Sequence, residues 1–165
     1  MQPLPIIQID TREKEPFKFA QAFRDKKIAG ITNEKLDCGD YALKDSKLVV
    51  IERKKNVAEL YNNFIPDEKR ERFHREMERL QQYKYRYIVV SQTWDALYEP
   101  NEYKYIRVNQ YSAGSIILGN LLSIMNKYQV HVIFAGEHAE RTTLSILLKH
   151  YADQEKEVKE KDNGK

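Results

Sequence analysis

The order of strand and helix signals changes partway along this chain, and that change narrows the fold more than any single motif does. Residues 5–11 (PIIQIDT) read as a short strand ending in an acid, and after an irregular aromatic piece QAFRDKKI gives one or two helical turns. Residues 31–54 read as a β-hairpin. Its first arm runs through Leu36–Leu43, its turn is Lys44-Asp45-Ser46-Lys47, and it returns along Leu48-Val49-Val50-Ile51 with Glu-Arg-Lys at its end. Beyond that point the signals alternate. Asn56 is placed to cap a helix over 57–64, and Asp67 to cap one reaching about Gln82, with Phe73, Met77 and Leu80 at i, i+4, i+7. Tyr87-Ile88-Val89-Val90 is a buried strand, 113–128 an apolar helix, 130–135 a strand, and 139–151 a helix with Leu144, Leu147, Leu148 and Tyr151 on one face. Local pairing first and helix-separated strands later predict an α/β domain of three layers, α/β/α, around a mixed central sheet.

At 165 residues the chain is the size of one domain. No repeat and no interior Gly/Ser/Pro-rich linker divides it, so one domain over residues 1–152 is expected. The charged piece 153–165, with Val158 its one apolar residue, is expected to be a frayed helix end or a disordered tail. The single cysteine, Cys38, can neither close an intramolecular disulfide nor build a zinc finger, which points to a reducing, cytoplasmic setting. No apolar run approaches the roughly 18 residues of a membrane span, and the start lacks the features of a secretory signal. A net charge of +3, from 28 Lys+Arg against 25 Asp+Glu, does not mark a nucleic-acid binder by itself. How the charge is distributed matters more.

The residues that carry chemistry are Gly39-Asp40-Tyr41 and, across the hairpin, Glu52-Arg53-Lys54. Strand alternation puts Leu48, Val50, Glu52 and Lys54 on one face, and Ile51 and Arg53 on the other. A hard metal ligand and a cation thus share the rim of a core. Hairpin arms lie about 4.8 Å apart, which brings Asp40 alongside. Asp10, at the end of the first strand, supplies another acid if that strand is adjacent. Clustered carboxylates repel unless they are protonated or share a cation. Mg²⁺ suits such a pair, taking one or two carboxylates, waters and a phosphate oxygen, and it assists phosphodiester hydrolysis. Lys54 would position the attacking water or offset growing negative charge. The spacing alone is a weak signal, because Glu-x-Lys recurs at Glu102-Tyr103-Lys104 and Glu157-Val158-Lys159, although only Glu52 follows an apolar strand. On these residues alone, a catalytic site and a solvated hairpin end with a surface Glu–Lys pair both stay open.

Taken in order, Ile9-Asp10-Thr11-Arg12-Glu13, Gly39-Asp40-Tyr41 and Ile51-Glu52-Arg53-Lys54 resemble the D-x-R-E, G-D and E-R-K-x-x-x-D elements of the XPF/Mus81/Hef (ERCC4-type) nuclease domain family. The stretch Arg72–Leu80 is similar to the family's basic helix and Tyr87–Val90 to its next core strand, so the resemblance covers about residues 5–150. It implies a restriction-endonuclease-like fold and Mg²⁺- or Mn²⁺-dependent cleavage of DNA. The DNA would be branched (flaps, forks or junctions), in repair, recombination or replication. By the same resemblance Asp40 and Glu52 are the metal-binding acids, with Asp10 as a further acid, and Lys54 is the catalytic lysine. Asp10, Arg12, Glu13 and Arg53 are the supporting motif residues.

Two departures stand out. The last acid of E-R-K-x-x-x-D falls on Ala58, and Glu59 follows one place later, so either Glu59 substitutes or that acid is missing. Secondly, the helix-hairpin-helix module and the helicase domain that many members carry are not expected here. The alternative is a non-catalytic module of the same fold that binds DNA structure or a partner. Ala58 favours that alternative, and the retained Asp40, Glu52 and Lys54 weigh against it.

Other features read two ways. Arg72, Arg75 and Arg79 stack at i, i+3, i+7 as a ridge for DNA phosphates, joined by Lys55. Otherwise the helix is simply amphipathic, with Glu71, Glu76 and Glu78 in intrahelical pairs. The runs Tyr83–Tyr87 and Tyr103–Tyr105 resemble base-stacking surfaces, though strand alternation explains the first equally well. Ser115, Gly119 and Ser123 form a small-residue stripe on helix 113–128. It packs on the sheet or, with the last helix, forms an isologous face. Members of the resembling family commonly pair, so a homodimer is expected. His74, His131, His138 and His150 show no metal-ligand spacing, and Cys38 has no base partner.

Overall fold

The structure, a computed structural model, describes residues 3–106 and 109–163. In chain order the regular elements are β1 (Ile6–Ile9), α1 (Ala20–Arg24), β2 (Gly30–Asn33), β3 (Tyr41–Leu43), β4 (Val49–Lys54), α2 (Val57–Phe64), α3 (Asp67–Leu80), β5 (Tyr85–Val90), α4 (Gln110–Tyr128), β6 (His131–Phe134) and α5 (Ala139–Asn163). The six strands form one sheet in the order β2-β1-β3-β4-β5-β6. β3 runs antiparallel to both β1 and β4, and the other pairs are parallel, so the sheet is mixed.

Helices cover both faces, which is why the central strands are apolar on both sides. Val50, Ile88 and Val90 point into a core closed by α2, α3 and α4 through Leu60, Phe73, Met77 and Ile117. Their neighbours Ile51 and Val89 point the opposite way, into a second core with Phe19 just before α1, Ala22 of α1 and Leu147 of α5. Asn56 caps α2 by accepting a hydrogen bond from the Glu59 amide at 2.8 Å. Phe73, Met77 and Leu80 are the buried stripe of α3.

Four local expectations are corrected. Residues 30–33 do not belong to the hairpin but form the edge strand β2, parallel to β1 with Ile6 opposite Gly30. Leu48 sits with Val49 and Ile51 in the α5-side core, because it lies before the first paired residue of β4. Pro66, not Asp67, occupies the cap position of α3, and Asp67 in the first turn accepts from Arg70 at 2.7 Å. Tyr103 is fully buried, its hydroxyl donating to the Leu97 carbonyl at 2.9 Å, so it is core, whereas Tyr105 is exposed.

α4 lies close against the turn at 94–98 because Gly114 has no Cβ; one there would run into the Leu97 carbonyl. Ser115, Gly119, Leu122 and Ser123 face outward, while Ile117, Leu121 and Ile124 pack inward. α5 continues as helix through residues 153–163, and residues 164–165 lie outside the described part. Among the described residues no helix is long and apolar enough to cross a membrane.

Candidate active site

Backbone hydrogen bonds draw three separate chain segments into one row at the rim of the sheet. The Asp40 amide donates to the Ile51 carbonyl at 2.8 Å, and the Asp10 amide donates to the Asp40 carbonyl at 2.8 Å. The Arg53 amide closes the row on Asp40 Oδ2 at 2.7 Å. Gly39 makes this possible. Its φ is +75°, and a Cβ there would collide with the Val50 side chain, so a side-chain-bearing residue would push the Asp40 segment off β4.

Glu52 and Lys54 project from β4 toward α2 and α3, and each is 5% exposed or less. Lys54 Nζ donates to Glu52 Oε1 at 2.7 Å and lies 3.8 Å from Glu59 Oε1. The same ammonium sits over the Phe73 ring, 5.1 Å from its centre. Burial pushes the Asp40 carboxyl well above the usual carboxylate range, and the Glu52 charge pushes the same way. Burial also raises Glu52, outweighing the pull of Lys54, and Glu76 adds to the rise. For Lys54 burial works toward neutrality, but Glu52, Glu76 and Glu59 together outweigh it and hold the amine charged.

A half-buried Asp40 and a buried Glu52 beside a charged ammonium are a natural seat for a divalent cation. One oxygen of each acid is tied to the chain, Asp40 Oδ2 to the Arg53 amide and Glu52 Oε1 to Lys54. Asp40 Oδ1 and Glu52 Oε2 have no hydrogen-bond donor among the described residues. No group of three His, Cys, Asp or Glu residues converges on a metal position among the described residues. Water and substrate would have to complete the coordination shell. That pattern suits Mg²⁺, which takes few protein ligands and keeps its waters.

The other expected residues divide. Asp10, expected as a further metal acid, has no oxygen to spare. Arg12 donates to Oδ1 from its amide and Nε, each at 2.7 Å, and to Oδ2 from Nη2 at 2.8 Å. The Leu36 amide adds a fourth bond, to Oδ2 at 2.7 Å. Burial alone would raise Asp10, but these bonds overcome it and hold the carboxyl below its ordinary value. Asp10 and Arg12 therefore tie the end of β1 to the irregular segment leading into Gly39. Glu13 lies 3.6 Å from Arg53 Nη1, and its charge acts on Asp40.

Arg53 emerges on the face opposite Glu52 and Lys54. It donates to Ser91 Oγ at 3.2 Å and to the Glu15 carbonyl at 2.7 Å, with its guanidinium over the Phe17 ring at 4.4 Å. Arg72, Arg75 and Arg79 are exposed on α3, with Arg75 3.8 Å from Glu71. Lys55 pairs with Glu15 at 2.9 Å. Glu59 Oε2 accepts from the Lys55 amide at 2.8 Å while Oε1 faces Lys54, so this acid stands at the site although position 58 is alanine.

Sequence reasoning missed Glu76 as a member of this group. It is half-buried, one turn beyond Phe73, and its charge acts on Glu52, Lys54 and Arg12. Among the described residues it forms no ion pair within α3, contrary to expectation. The available signal was its place at the border of the Phe73/Met77/Leu80 stripe, which turns it toward the sheet. His74 meets the Tyr128 hydroxyl and His150 the Tyr87 hydroxyl, each at 2.8 Å, while His131 and His138 are exposed. Cys38 is buried, which pushes its thiol up.

The sequence model of the family described as ERCC4 domain matches residues 9–145. Among solved structures, XPF from Aeropyrum pernix superposes with a TM-score of 0.62 at 16% identity, covering 94% of this chain and 69% of that one. XPF from Aeropyrum pernix in complex with DNA gives 0.60 at 15% identity, covering 91% and 66%. At such identities the likeness establishes a shared fold, the restriction-endonuclease-like α/β/α arrangement. The chain spans about two thirds of the length of those solved chains. No curated protein matches it.

Proposed function

The chain belongs to the ERCC4 domain family, and from that membership we propose that it is a Mg²⁺- or Mn²⁺-dependent DNA endonuclease that prefers branched DNA, such as flaps, forks or junctions. The observation that carries this reading is the half-buried Asp40 beside the buried Glu52, with the Lys54 ammonium 2.7 Å from Glu52. Asp40 Oδ1 and Glu52 Oε2 would hold the cation, which when bound would stabilise charge on the phosphoryl oxygens and promote ionisation of the attacking water. Asp40 is fixed in direction by the Arg53 amide, so its free oxygen is preset. Lys54 stays charged in a nearly water-free setting, where an ammonium stabilises a developing oxyanion or orients a water far better than in bulk solvent. Glu59 fills the supporting role of the acid missing at Ala58. Arg72, Arg75 and Arg79 supply exposed cations for backbone phosphates, and the DNA bound to the similar XPF supports DNA as the substrate class.

A cleavage panel of flap, fork, four-way junction, plain duplex and single strand, with and without Mg²⁺, tests the reading. Cleavage that needs the metal and disappears in Asp40→Ala supports it; full cleavage by Asp40→Ala rejects the site. The second reading, a non-catalytic module that binds DNA structure or a partner, is favoured by Ala58 alone. Calorimetry separates the two, because the catalytic reading requires Mn²⁺ binding that Asp40→Ala abolishes. A homodimer through α4 and α5 is part of the same reading, with Leu122, Gly119 and Ser123 offering an outward face. Sedimentation of the wild type against Gly119→Arg, which should dissociate such a dimer, tests it.

A further inference from the structure

Between β1 and α1 the chain crosses residues 11–19 without helix or strand, yet side chains from elsewhere tie it down at several points. The Glu15 carbonyl accepts from Arg53 Nη1 at 2.7 Å, and the Glu15 carboxylate pairs with Lys55 at 2.9 Å. The Phe17 amide donates to the Tyr41 hydroxyl at 3.0 Å, and the Phe19 amide to Glu140 Oε1 of α5 at 2.7 Å. The Phe17 ring is stacked on Tyr41 at 5.2 Å with the Arg53 guanidinium over it at 4.4 Å. Phe19 is buried in the left-handed region at φ 47°, a conformation that persists only where the surroundings over-determine it. A stretch that merely joined a strand to a helix would need none of this, and ordering an irregular segment costs backbone entropy at every residue.

What the fixed segment presents is charge. Lys14 and Lys18 are exposed, and neither ammonium meets a hydrogen-bond or ion-pair partner among the described residues. The segment also begins near Asp40, since Glu13 within it reaches Arg53 and its charge acts on Asp40. Once ionised, Asp40, Glu52, Glu59 and Glu76 outnumber the Lys54 ammonium and repel a DNA strand, so cations held at the rim offset that repulsion. We propose that residues 11–19 are a rigid arch, pinned by Arg53, that holds Lys14 and Lys18 as a fixed pair of phosphate contacts for a DNA strand entering the Asp40–Glu52 site. The inference rests on the nuclease reading of that site. It makes Arg53 a positioning residue, on the far side of β4 from the acids, although it sits between Glu52 and Lys54 in sequence.

The test uses the full chain carrying Glu52→Gln, so that DNA is bound and not cut. Anisotropy of a labelled flap duplex is followed over a salt series without added metal. Replacing Lys14 and Lys18 together by Ala should weaken binding and reduce the slope of log K against log salt by about 2, one for each lost phosphate contact. Arg53→Ala should lose a similar slope and should speed tryptic cleavage of the Lys18–Phe19 bond. Arg53→Lys should not rescue either effect, because an ammonium lacks the planar fork that stacks on Phe17 and reaches Ser91 and Glu15 together. An unchanged slope in the double-lysine variant overturns the proposal, as does an Arg53→Ala protein with a loosened arch and a wild-type slope. The nuclease reading fails separately, through a Glu52 protein that leaves every DNA uncut in Mg²⁺ and Mn²⁺ while the lysine pair still sets the salt slope.

Discussion

Asp10 and Asp40 are joined by a backbone hydrogen bond, yet their carboxyls live in opposite electrostatic worlds. Four hydrogen bonds from Arg12 and Leu36 satisfy Asp10 and hold it below the ordinary carboxylate range. Among the described residues the Asp40 carboxylate has a single bond, from the Arg53 amide, with Glu52 nearby, and burial drives it up. Both lie at the end of the same sheet. The difference shows how a fold separates an acid that holds structure from an acid left wanting a cation: the first is saturated from within, the second keeps a free oxygen. The same division runs along β4, where the Arg53 side chain is spent on packing partners and Glu52 and Lys54 face each other in the core.

The sharpest break of this comparison is Asp40→Asn against Asp10→Asn. Asp40→Asn should lower Mg²⁺-dependent cleavage of a flap substrate by more than about 100-fold, the upper size seen when even an outer partner of a metal ligand is removed. It should also leave the metal-free protein as stable as the wild type or more so, because it removes a poorly solvated charge; thermal denaturation reads this. Asp10→Asn should do the reverse. Weakening charged hydrogen bonds to a buried acceptor should cost about 1.5–3 kcal/mol of stability in urea titrations. Cleavage per folded molecule should fall much less.

Stability against pH draws the same line more finely. The raised Asp40 and Glu52 bind protons more tightly folded than unfolded, so metal-free stability should fall as pH rises from about 4 toward the raised values. The lowered Asp10 has the opposite sign. Its contribution is present above about pH 4 and is lost as pH falls through its folded value. Calorimetry of Asp40→Asn should flatten the loss on the high side, and Asp10→Asn the loss on the acid side. The stabilisation conferred by Mn²⁺ should grow with pH, since binding displaces protons from the acids. The smallest expected effect is at Glu59: Glu59→Gln should slow cleavage by less than about 10-fold, in single-turnover assays, if it supports the site only through Lys54.

Much of this was legible in residues 48–54, where apolar side chains on both faces require a central strand and charges at the end require a rim. The apolar stripes of α3, α4 and α5 were equally plain. β2 was not, since Gly30–Asn33 is short and its partner β1 lies more than twenty residues earlier in the chain. Nor was the fate of Asp10, which depends on the Leu36 amide arriving from another segment, or that of Glu76, which depends on how α3 is rotated against β4.

The amino-acid sequence by itself determined where most of the strands and helices run and that Asp40, Glu52 and Lys54 share the end of one hairpin. These are matters of local period and short-range pairing, encoded within a few residues. Only the tertiary structure decided which acid is saturated, which basic residue is consumed by packing, and which cations are left free beside the site. Those outcomes turn on burial and on partners brought from distant segments, and a carboxyl or a guanidinium carries no mark in the sequence of what will surround it.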